Sequence, residues 1–140
     1  MKRRYVKVII NNIIPFKGFA AITILPFIFS RRALYDMEMA HELIHCYQQL
    51  EMLIIGAVLF VLLLTLGCEW WSLLGIPVFF WWYLIEWLIR LAIYRNFYEA
   101  YRNIAFEQEA YLNPHSAWYT DERRHFSWVK YLNRKTFRKI

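Results

Sequence analysis

Residues His41-Glu42-Leu43-Ile44-His45 form an H-E-x-x-H pentapeptide in a chain of 140 residues. On a helix, positions i and i+4 share one face. Two imidazoles so placed can bind one Zn²⁺, and Glu42 sits where a carboxylate takes a proton from water at the metal. The chemistry this suggests is metal-assisted hydrolysis. The plainer alternative is a helix that turns two histidines to solvent. Two histidines do not complete a catalytic zinc site, which takes three protein ligands and leaves one position open.

The helix that presents the pentapeptide starts near residue 37, with Asp36 as its expected N-cap. No proline or glycine interrupts it before Gly56, so it runs into an uncharged stretch of 17 residues, Met52–Cys68. Leu73–Ile85 is also uncharged, and its apolar run continues past Glu86. Both stretches are at the short end for transmembrane helices. Between them lie Glu69-Trp70-Trp71-Ser72, Gly75 and Pro77, with the tryptophans suited to an interfacial belt. The second helix is expected to run without a break to Phe106, and Asn113-Pro114 ends it. In an antiparallel hairpin turning near Gly75, His45 faces roughly Ala105. The returning helix thus brings Glu107 or Glu109 to the histidines. These two carboxylates lie about 200° apart on a helix, so only one can face the site. Glu51 points about 120° away from His45 on the first helix.

The solvent for these elements follows from composition. The chain is 59% hydrophobic and 20% aromatic, with mean hydropathy +0.24. A domain this small cannot cover so much apolar surface in water. Of 17 Lys and Arg, seven lie in residues 1–32, ten in 90–140, and none between Ala33 and Ile89. Nucleic-acid binding would also suit a net charge of +6. Both basic zones flank an apolar block, however, which fits anionic lipid better. The same asymmetry places both termini, and with them the site, in the cytoplasm, and the Glu69–Ser72 turn outside. Cys46 and Cys68 have no framework spacing and read as free thiols. A soluble core hairpin is the competing reading of the apolar runs.

The expected fold class is mainly α (α+β), within a single membrane-embedded domain. Residues 1–32 read as a short β-hairpin or interfacial segment, because Tyr5–Ile10 and Ala20–Leu25 are rich in β-branched residues, and Pro15 and Gly18 punctuate them. They do not read as a signal peptide, since Lys7, Asn11, Asn12 and Lys17 interrupt the apolar run. Residues 36–68 carry the pentapeptide and first span, and 73–112 the second span and third-ligand helix. Residues 120–140 carry Arg123, Arg124, Lys130, Arg134, Lys135, Arg138 and Lys139 among aromatics, which suits a basic helix on anionic lipid. Glu86 is expected to pair with Arg90 at i+4.

H-E-x-x-H followed by Glu-Gln-Glu-Ala-Tyr at 107–111 resembles the gluzincin peptidases, several of whose membrane members carry E-x-x-A-D in second place. The stretch His41-Glu-x-x-His45-x-x-Gln48-Gln49 is also similar to small gluzincin-like domains of bacterial sequences. The resemblance covers roughly residues 36–50 and 97–113. It implies His41, His45 and Glu107 as zinc ligands, Glu42 as general base, and a peptide or protein segment as substrate. That segment is expected to pair as an added strand along the N-terminal region. The family aspartate that orients a histidine is Tyr111 here, whose hydroxyl could accept or donate a hydrogen bond in its place or whose ring could simply pack. Gln48 and Gln49 lie near the site face. Tyr98, Tyr101, Tyr111 and His115 are candidates for an oxyanion donor.

Two rival readings remain at this stage. Glu42-x-x-His45 and Glu122-x-x-His125 form a pair of E-x-x-H motifs of the kind that builds di-iron sites, with Glu86, Glu99 or Glu107 as a further ligand. In that reading Glu42 is a ligand rather than a base. The other rival is a membrane hairpin scaffold without metal.

Overall fold

The computed structural model describes residues 6–15, 18–113 and 117–134. It is mainly helical, with one small sheet. Strands β1 (Lys7–Ile10), β2 (Ala21–Ile24) and β3 (Phe27–Ser30) form that sheet in the order β1-β3-β2. β2 and β3 form an antiparallel hairpin turning at Leu25-Pro26, and β1 pairs with β3 in parallel, so the two expected strands are present but β3 lies between them and they do not pair with each other. The sheet's inner face packs on the first helix, where Val6 and Ile28 meet Met39, Leu43 and Cys46. β3 was not expected. It is too short, and too close to the preceding strand, to stand out in the sequence.

Helix α1 (Asp36–Thr65) is about 45 Å long at 1.5 Å per residue. It runs from the pentapeptide into the apolar stretch unbroken, as expected. Its N-cap is Tyr35 rather than Asp36. The Glu38 carboxylate reaches back to accept the Tyr35 N–H at 3.0 Å, which fixes the start one residue earlier. Among the described residues, α1 is the one continuous helix long and apolar enough to cross a membrane.

The return path departs from the expected single helix. α2 (Glu69–Ser72) and a 3₁₀ turn at Leu73–Gly75 precede α3 (Val78–Tyr94), with a 72° bend between them. Gly75 then meets Gly56 backbone to backbone: a Cβ on Gly56 would lie 2.0 Å from the Gly75 carbonyl oxygen. α3 ends at Arg95, which adopts a left-handed conformation (φ 52°). Asn96 starts α4 (Phe97–Arg102) by accepting the Tyr98 and Glu99 N–H groups at 3.0 Å each. A second break at Asn103-Ile104 begins α5 (Ala105–Leu112), whose Ala105 N–H donates to Glu86. The Asn96 side chain captures two backbone N–H groups and the Asn103 side chain donates to the Glu99 carbonyl at 2.8 Å, at two breaks in a stretch that lacked any Gly or Pro signal.

Glu86 and Arg90 pair as expected, at 2.7 Å, and both are buried. Arg90 also donates to the Leu132 carbonyl at 2.9 Å. The expected lipid-facing helix over residues 120–140 does not form across its described part. α6 (Ala117–Glu122) ends there, and a 3₁₀ turn at Ser127–Tyr131 folds back onto the core. Trp128 and Tyr131 pack with Met52, Phe79 and Phe106. Capture of tail carbonyls by Arg90 and Gln108 outweighs projection into solvent or lipid. Residues 135–140 lie outside the described residues.

The two glycines allow a contact that no side chain can share. Gly56→Ala and Gly75→Ala are each expected to cost about 1–3 kcal/mol or more by overpacking. Thermal unfolding in detergent measures this, with exposed Val58→Ala expected to leave the transition unchanged.

Candidate metal centre

α1 presents His41 and His45 on one face, and α5 presents Glu107 opposite them. The three side chains form the one group of candidate metal ligands found among the described residues. His45 Nε2 lies 3.1 Å from His41 Nε2 and 3.3 Å from Glu107 Oε1, and His41 Nε2 lies 3.4 Å from Glu107 Oε2. A tetrahedron with bonds of 2.0–2.1 Å has edges of about 3.3–3.4 Å. The spacings approach those edges, with the two imidazoles set against different oxygens of Glu107, and one donor atom from each residue lies within 4.8 Å of the others, so the three side chains could hold a metal ion. Glu107 Oε2 adds a separate observation: it is buried and has no hydrogen-bond partner. A bare carboxylate oxygen in the interior is costly unless something positive meets it.

Glu107 is held as a one-armed donor. The Tyr83 hydroxyl donates to its Oε1 at 2.9 Å, which leaves Oε2 free. Burial alone would raise its carboxyl, but the imidazoles of His45 and His41 outweigh that and hold it well below the usual carboxylate range. Tyr83 was not singled out in the sequence. It stands in the second apolar run, where a tyrosine reads as packing.

Gln48 sets the state of His45. Its Nε2 donates to the Phe106 carbonyl at 3.0 Å and to Glu109 Oε2 at 2.9 Å. Its Oε1 therefore faces His45 Nδ1, 2.7 Å away, and Nδ1 must carry the proton. Nε2 is then the nitrogen turned toward the cluster; burial works against its charge, but the Glu107 carboxylate beside it raises the His45 pKa to about 9. Gln48 thereby orients the His45 ring. Tyr111 sets its ring against His41, with centroids 4.7 Å apart. Burial, and then the Glu107 carboxylate, push its phenol pKa upward.

Glu109 is not in the cluster. It accepts from Gln48, from the Tyr119 hydroxyl at 2.6 Å and from Arg123 at 2.8 and 3.0 Å. Arg123 also pairs with Glu51, which faces away from the histidines as its helical angle requires. Arg123, read from sequence as part of a lipid-facing tail, has 1% of its side chain exposed. Burial works against its charge, but the bonds to Glu51 and Glu109 hold its pKa above the ordinary value.

Glu42 is buried beside the cluster without joining it. Its Oε2 accepts the Thr23 hydroxyl of β2 at 2.7 Å. Gln49 ties the same strand to α1: its amide donates to the Thr23 carbonyl at 2.7 Å and accepts the Leu25 N–H at 2.8 Å. The structure does not bring Glu122 and His125 to the histidines. Both are exposed, and His125 Nδ1 stands 3.7 Å from Glu51. Of the oxyanion candidates, Tyr101 and Tyr111 are neighbours, with ring centroids 6.4 Å apart, while Tyr98 is exposed. His115 lies outside the described residues. The chain matches no family model, no curated protein and no solved structure.

Arg123 is shared between two buried carboxylates, so its loss strands both. Arg123→Met is expected to destabilise the fold by about 3–5 kcal/mol. Adding Glu51→Gln and Glu109→Gln to that variant should restore most of the loss. Denaturant titration of the single and triple variants measures both effects.

Proposed function

We propose that this protein is a membrane-embedded zinc peptidase of the gluzincin kind, acting on a peptide or protein segment. The supporting observation is the triangle of His41, His45 and Glu107, whose side chains could hold a metal ion and whose Glu107 Oε2 is otherwise bare. Zinc bound there would supply a Lewis acid that acidifies water and polarises a peptide carbonyl. Glu42 takes the proton from the attacking water and passes it to the leaving amine. The Thr23 hydroxyl fixes one Glu42 oxygen and leaves the other for that proton. Gln48 keeps the His45 proton on Nδ1, away from the metal. α1 crosses the bilayer through its C-terminal half, Met52–Cys68 having no charge. The bent segment α2–α3 returns the chain. The Lys and Arg on both sides of the stretch Ala33–Ile89, which has none, support a cytoplasmic site.

Detergent-purified protein is expected to carry one zinc per chain. Glu42→Gln should keep that zinc and lose hydrolysis, since the amide preserves shape but has no basicity. If Glu42→Gln empties the site, Glu42 is a ligand and the assignment is wrong.

Zinc titration also ranks the supporting groups. Glu107→Ala should lose affinity steeply. Gln48→Leu should lose about 10–100-fold through misorientation of His45. Glu109→Ala should bind zinc more tightly than Glu107→Ala at every concentration, with its main cost in stability. Equal affinity of Glu107→Ala and the wild type would remove α5 from the site.

A further inference from the structure

The sheet has an outer face as well as the inner one packed on α1. Thr23, Ile28 and Ser30 point inward and are buried. The alternate residues Ile22, Ile24 and Phe27 point outward and are exposed by 38%, 42% and 38%. Ile22 pairs across the strands with Phe29, and Ile24 with Phe27. A two-layer soluble fold would make this outer face polar. Here it is apolar, and the turn between the strands is Leu25-Pro26, without charge.

The direction of the hairpin says what meets that face. β2 lies alongside α1 and runs the same way. Thr23 bonds to Glu42, and Leu25 bonds to Gln49, further along the helix. Gln49 is three residues before Met52, a rise of about 4.5 Å. The hairpin turn therefore comes level with the start of the uncharged half of α1. Lys7 stands at the same end: it pairs with Phe27, its N–H donates to the Pro26 carbonyl, and it is exposed. The first 35 residues carry seven Lys and Arg and no Asp or Glu. An apolar tip bordered by a lysine, in a segment of one charge sign, complements an anionic lipid surface. The same charges oppose a second copy of this face.

We propose that the tip of the β2–β3 hairpin, Ile24 to Phe27, is seated in the headgroup region of an anionic leaflet, with Lys7 reaching lipid phosphate. The sheet is then a second membrane contact beside α1. This rests on α1 being a membrane span.

The test uses the full chain with Cys68→Ser, reconstituted in vesicles of equal parts phosphatidylcholine and phosphatidylglycerol. Spin labels are placed singly at Ile24→Cys, Phe27→Cys and, as a reference at the other end of the sheet, Asn12→Cys. Collision with lipid-soluble oxygen is compared with collision with a water-soluble nickel chelate. The oxygen-to-nickel ratio should be several-fold higher at residues 24 and 27 than at 12. Lys7→Glu should lower the ratio at residue 27. Ratios at 24 and 27 equal to that at 12 overturn the proposal. So does dipolar broadening between labels at 27, which would assign the face to a second copy. Alkaline carbonate extraction of the wild type separates the two readings. Protein that resists carbonate but shows water at 24 and 27 sinks the hairpin proposal alone. Protein stripped by carbonate overturns the span, and with it the hairpin proposal that rests on it.

Discussion

One side-chain amide joins the helix of the histidines to the helix of Glu107. Gln48 is wholly buried and uses its oxygen on His45 and its nitrogen on Phe106 and Glu109. None of these bonds can be exchanged for water without opening the interior. The spacing between α1 and α5, and so the shape of the triangle, depends on this group. Behind it Glu109 would be an isolated buried anion, were it not for Arg123. Arg123 in turn ties the segment after α6 to α1 and α5 and neutralises Glu51. A polar chain thus runs from the C-terminal segment through Arg123, Glu109 and Gln48 to a histidine. The apolar core of Met52, Phe79, Phe106 and Trp128 lies alongside it.

Such a chain is expensive to bury. A small domain with so many buried ionic groups gives up stability that apolar residues could have supplied. The arrangement makes sense where position matters more than stability. Each of Arg123, Glu109 and Gln48 is bonded to more than one neighbour, so His45 at the end of the chain has little freedom to turn away.

Much of this was legible in the sequence where the signal is local. The unbroken α1, the Glu86–Arg90 pair and the meeting of the histidines with a later carboxylate follow from periodicity and spacing. The choice of Glu107 over Glu109 agrees with the residues quoted for the resemblance, but helical geometry alone left both open. The breaks at Asn96 and Asn103 were not legible, because an asparagine within a helical pattern reads as a tolerated residue. The antiparallel estimate still put α5 near the histidines, as the grouping of His41, His45 and Glu107 shows. The burial of Arg123 was hidden for a different reason. A cationic, aromatic tail looks the same whether its charges meet lipid phosphate or carboxylates elsewhere in the chain. Only the three-dimensional position of Glu51 and Glu109 distinguishes them.

The grip of Gln49 on β2 has a consequence beyond holding Thr23 near Glu42. β2 is an edge strand, and an edge strand with free carbonyl and N–H groups is a template for any other extended chain. Gln49 imitates a neighbouring strand, with its carboxamide bonded to one carbonyl and the N–H two residues on. A foreign strand therefore finds this part of the border already occupied. That single glutamine thereby guards this edge of the sheet against polymerisation by strand addition.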